Sequence, residues 1–140
     1  MRARRLRSAL ALALALAGHA CTDLTGSGSG GGSGTPVATS LSFLTQPGPN
    51  RVDSLFPTPV QVEVLDQNGA VLISARNAIT VALGYNPTGA TLLGTTTVAA
   101  DSGIATFRDL RLDKAGQAFR MRATATGLDT VTSVPFTITP

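Results

Sequence analysis

From residue 59 onward the chain alternates. In Pro59–Leu65, Val60, Val62 and Val64 fall on one side of an extended segment and Gln61 and Glu63 on the other, the pattern of a strand with one buried face. Asp66-Gln67-Asn68-Gly69 follows, where Asn-Gly supplies the positive φ angles of a tight turn, and Ala70–Ile73 is expected to return as a short strand. Ile79–Leu83 alternates again, with Ile79, Val81 and Leu83 inward, and ends at the turn Asn86-Pro87-Thr88-Gly89. The Thr-rich run Ala90–Ala99 has Leu92 and Val98 as its apolar points.

Asp101-Ser102-Gly103 turns the chain into Ile104–Phe107, with Ala105 and Phe107 inward and Leu110 and Leu112 continuing the buried set. After Lys114-Ala115-Gly116, the segment Ala118–Ala125 places Phe119, Met121, Ala123 and Ala125 on one face and Arg120, Arg122 and Thr124 on the other. A one-residue slip would bury both arginines and expose Phe119 and Met121, so burial cost fixes the register. Gly127-Leu128-Asp129 leads to a last strand, Val134–Thr139, with Phe136 and Ile138 inward. No segment sustains helical periodicity between caps. Short strands every eight to twelve residues predict an all-β sandwich over residues 37–140, about the size of one ordinary domain.

The first third reads differently. Arg2, Arg4, Arg5 and Arg7 precede the apolar run Ser8–Ala17, which is too short to cross a bilayer core of ~30 Å as a helix. A cationic start, a short apolar run and small residues before a cleavage point make a signal peptide over residues 1–20. The junction Leu16-Ala17-Gly18-His19-Ala20-Cys21 resembles the lipobox of bacterial lipoproteins, which implies a lipid on the Cys21 thiol and cleavage just before it. Gly18 stands where that family usually has Leu. The alternative is an ordinary signal cut after Gly-x-Ala, leaving Cys21 a free thiol. Residues 21–36 then form a tether whose core, Gly26–Gly34, is Gly and Ser throughout; as a flexible coil it spans on the order of 20 Å. Neither a strand nor a helix flanks this glycine run, so it is no phosphate loop.

Cleavage changes the charge. The full chain has 11 Lys and Arg against 8 Asp and Glu, and removing the four leading arginines leaves seven against eight. Without a basic excess or stacking aromatics, nucleic acid is not an expected partner. The one histidine, His19, lies in the signal segment, Glu63 is the one glutamate, and a single cysteine permits no intrachain disulfide. No G-x-S-x-G sequence is present, and the expectation is no enzyme, no cofactor and no metal site. Asp66, Asp101 and Asp129 sit at turns, where a carboxylate caps its own backbone, and no EF-hand-type loop accompanies them.

Three stretches and a fourth resemble bacterial Ig-like domains of the invasin/intimin type: Pro59–Leu72 (PVQVEVLDQNGAVL), Gly89–Thr97 (GATLLGTTT), Asp101–Leu110 (DSGIATFRDL) and Ala118–Leu128 (AFRMRATATGL). The resemblance covers about Ala38–Pro140 and implies an immunoglobulin-like β-sandwich acting as a spacer, stalk or adhesion module, with no catalytic residues. Such domains are often strung in tandem, and one is read here. The implied protein is a membrane-anchored envelope lipoprotein, at the outer membrane or cell surface, contacting membrane lipid through Cys21 and an envelope protein or glycan through its domain. Arg120 and Arg122 form a candidate interaction face, the competing reading being solvated charges. Tyr85, beside Asn86-Pro87, is the one aromatic expected on a loop, as a sugar-binding module would need.

Overall fold

The computed structural model describes residues 34–140, and a compact unit spans Pro36–Pro140. The signal segment, Cys21 and most of the tether lie outside the described residues. Among the described residues eleven strands follow one another: β1 (Ala38–Thr45), β2 (Asn50–Arg51), β3 (Val60–Asp66), β4 (Ala78–Tyr85), β5 (Leu92–Leu93), β6 (Thr97–Ala99), β7 (Ile104–Phe107), β8 (Arg111–Leu112), β9 (Gly116–Thr124), β10 (Val131–Thr132) and β11 (Phe136–Thr139). Among the described residues there is no helix.

They form a smaller sheet β1-β3-β7 and a larger one in the order β2-β11-β9-β4-β6, with β10 on the same edge of β9 as β11; β5 and β8 pair separately. All neighbours are antiparallel except β2 and β11. The chain thus starts in one sheet and crosses to the other at Asn50, where β2 lies parallel to the last strand. Two packed antiparallel sheets with this strand order make an immunoglobulin-like sandwich.

The alternating residues meet between the sheets. Val60, Val62, Val64, Ala105 and Phe107 from one side face Ile79, Val81, Phe119, Met121 and Ala123 from the other, all essentially inaccessible to water. Leu110 and Leu112 are buried as well. Phe136 closes one end, its ring edge-on to Phe56 at 5.7 Å and tilted against Phe119 at 5.9 Å.

Several expectations change. β1 has no counterpart in the sequence pattern; Leu41 and Phe43 do point inward, but the outward Leu44 (49% exposed) hides the alternation. Ala70–Ile73 makes only a bridge from Val71 to Leu65, and Ile73 is 72% exposed. The cause is competition for the edge of β3: Val64 accepts from Leu72 N–H through its carbonyl and donates its own N–H to Gly103 of the β6–β7 turn, so a longer return strand has no free edge. The turn before it has one positive φ rather than two, at Gly69. Gly69 N–H bonds to Asp66 C=O and Asp66 N–H to Ala70 C=O, a three-residue loop. The paired positive φ occur at Ser102 and Gly103, where Asp101 and Ile104 exchange both backbone bonds. Finally, the last strand begins at Phe136 rather than Val134. Pro135 has no N–H for the ladder, and Val134 is exposed.

Candidate functional site

β9 presents Arg120 and Arg122 outward because Phe119, Met121 and Ala123 are fixed inward by the core. Both arginines are exposed, as their alternation predicts. Tyr85 is exposed too, but it is the last residue of β4 rather than a loop residue. Its sequence neighbours Asn86 and Pro87 suggest a loop, yet pairing with β9 carries the strand past Gly84. The Asn86 side chain then closes the turn, donating to Ala90 C=O at 2.7 Å and accepting from Ala90 N–H at 2.8 Å.

The structure brings the three residues together. Leu83 lies opposite Met121, and the next register pair is Tyr85 opposite Arg120, so Gly84 and Tyr85 together face one residue of β9 in a bulge. Arg122 lies opposite Ala82 on one side and Thr132 of β10 on the other. Directly opposed residues have Cβ atoms about 4.5–5.5 Å apart, and diagonal neighbours stay within reach of long side chains. Gly84 matters by what it lacks: a Cβ there would stand 3.2 Å from Arg122 Cβ and 3.9 Å from its Cδ. The aliphatic stem of Arg122 therefore lies alongside the bare glycine, on the strand that carries Tyr85.

The surroundings are hydroxyl-rich. Thr80 and Thr97 share a hydrogen bond of 2.9 Å across β4 and β6. Beside them, an open groove of 430 Å³ runs along β4, lined by Thr80–Leu83 and by residues of the 86–96 segment including Thr91, Leu92 and Thr96. It exists because β6 pairs with β4 only as far as Thr80, plus one bond from Val81 N–H to Thr96 C=O. Arg51 reaches the same outer face from β2, opposite Thr139 of β11. Nothing in the alternation pattern signals this, since the placement depends on β2 changing sheets.

Among the described residues the one ion pair is Arg76–Asp101 at 3.7 Å, so neither Arg120 nor Arg122 has a carboxylate partner. Three acidic side chains instead accept from backbone N–H and hydroxyl groups. Asp66 accepts from Ala70 and Asn68 N–H, which holds its carboxyl below the usual carboxylate range. Asp109, bonded by the Thr95 hydroxyl and N–H, and Asp113, bonded by Thr91 N–H, are lowered in the same way. No group of three His, Cys, Asp or Glu converges on a point among the described residues.

No protein-family model matches the chain, and no curated protein matches it. Among solved structures it is similar to domains 4 and 5 of the S-layer protein SbsC, with a TM-score of 0.50 and 14% identity, covering 76% of this chain and 54% of that one. The domain is an all-β sandwich. At that identity the likeness shows the fold alone, and the chain spans about half the length of that S-layer fragment. Two structures of the β-glucuronidase of Parabacteroides merdae, one with glycerol in its active site, align at a TM-score of 0.49 and 20% identity, over 74% and 76% of this chain and 12% of theirs.

Proposed function

We propose that this chain is an exported lipoprotein, held to a membrane of the cell envelope by lipid on Cys21, that presents its Ig-like sandwich as a non-catalytic contact module. The observation that carries the reading is the order of its parts. A cationic n-region and a short apolar run lead to Ala20-Cys21, then a Gly/Ser tether, then a sandwich with Arg120 and Arg122 exposed on one sheet face. The likeness to a surface-layer protein's domains agrees with a structural or adhesive role, of the kind the invasin/intimin resemblance implies.

Each buried acyl CH₂ contributes about 0.8 kcal/mol, so several chains on one cysteine anchor stably where one chain does not. Cells grown with a clickable palmitate analogue should label the wild type in the membrane fraction. Cys21→Ser should lose the label. A wild type that takes up none and fractionates as soluble protein would end the anchor reading.

A carbohydrate-binding role is the second reading. It is favoured by Tyr85, an aromatic ring left 54% exposed beside Arg120 in a domain whose phenylalanines are all buried.

A further inference from the structure

The domain is electrically balanced, yet its acidic side chains avoid the strands of the larger sheet. Residues 36–140 contain seven basic and seven acidic side chains. None of the six strands of the larger sheet contains an Asp or a Glu. Three of the seven cations, Arg51, Arg120 and Arg122, are exposed on those strands. Glu63 belongs to the smaller sheet, and the six aspartates sit at turns, loops or strand ends. Opposite charges set directly across from each other would stabilise such a face. Here the cross-strand neighbours of the two β9 arginines are Tyr85, Ala82 and Thr132.

We propose that this face is a subsite for a carboxylate-bearing polysaccharide, a chain of uronic acid sugars, with Arg120 and Arg122 taking carboxylates and Tyr85 stacking on a sugar ring. The proposal rests on the contact-module reading and names its ligand class. Guanidinium groups match carboxylates in bidentate geometry, which a lysine would not. A flat ring presents one apolar face to a sugar and a hydroxyl to water. An acidic protein surface would use the arginines equally well but has no need of an exposed aromatic ring beside them, and that combination favours the glycan. Gly84 acts as a positioning residue, because its missing side chain lets the Arg122 stem lie beside the strand that carries Tyr85.

The full chain, purified in detergent, is titrated with polygalacturonate, with its methyl ester and with poly-L-glutamate. Polygalacturonate should bind, the neutral ester should not, and added salt should weaken binding. Arg120→Ser with Arg122→Ser, and separately Tyr85→Ala, should each weaken binding by about tenfold or more. Gly84→Val should weaken it while both arginines and the tyrosine remain. Thermal melts of each variant separate lost binding from lost folding. Absence of polygalacturonate binding overturns the proposal. So does equal binding of poly-L-glutamate with Tyr85→Ala silent, which would make the face a dock for acidic protein. Neither result touches the anchor, which palmitate labelling at Cys21 reads independently.

Discussion

Asp109 holds Thr95 twice, accepting the hydroxyl at 2.7 Å on one carboxylate oxygen and the backbone N–H at 2.9 Å on the other. Asp113 makes a parallel link to Thr91 N–H. Together they strap the segment bearing β5 to the segment bearing β8, a pair of two-residue strands that could not persist alone. Carboxylates that accept such bonds are stabilised in the charged form.

This clasp predicts an acid limb in the stability profile. The folded-state pKa values of Asp66, Asp109 and Asp113 all lie below the ordinary value. Their contribution is therefore complete above the unfolded pKa of about 4 and is lost as pH falls through the lower folded values. Urea midpoints should be level from neutral pH down to about 5 and fall below about 4. Asp109→Asn should make the fall shallower. A midpoint that rises on acidification would contradict the assignment.

Two glycines with positive φ should respond differently to alanine. At Gly127 an added Cβ meets nothing within 4 Å, so Gly127→Ala should cost only the left-handed backbone penalty of about 1–2 kcal/mol. At Gly94 the Cβ would stand 2.2 Å from Asp109 O and 2.8 Å from its carbonyl carbon, so the two segments must separate. Gly94→Ala should be clearly the more damaging, as compared by thermal midpoint.

Ser133 should behave as a backbone surrogate. Its N–H donates to Met121 C=O at 2.7 Å, and its buried hydroxyl accepts from Met121 N–H at 2.9 Å and donates to Val134 C=O. It continues the β9 ladder between β10 and β11, where Pro135 interrupts the chain. Ser133→Ala leaves Met121 N–H unpaired in the interior, at a cost of about 1–3 kcal/mol. Amide exchange at Met121 should accelerate in the variant.

Phe107 and the arginines of β9 test the facing of the sandwich. Phe107→Ala should destabilise by about 3–5 kcal/mol, a large part of a small domain's total of about 5–15 kcal/mol, and Val62→Ala by less. Arg120→Ser with Arg122→Ser should stay within about 0.5 kcal/mol. Denaturant titrations of the three proteins decide it, and a destabilised arginine variant with a silent Phe107→Ala would reverse the assigned faces.

The sequence by itself determined which side of each long strand is buried. In β3, β4, β7 and β9 the apolar set alternates with polar residues, and a slip of one position would exchange the sets, so one reading is energetically open. Hence Val62, Phe107 and Met121 were legible as core and Arg120 and Arg122 as surface. What the sequence did not determine is which strands share an edge. Ala70–Ile73 looks like a return strand and fails as one because Gly103, over thirty residues later, holds the same edge of β3. Tyr85 reads as a loop residue and is a strand residue because β9 pairs with it. Arg51 joins the face of Arg120 and Arg122 only because β2 crosses to lie along β11. Backbone groups are alike at every residue, so alternation settles a strand's facing locally, whereas the choice of hydrogen-bonding neighbour is made by the packing of the whole domain.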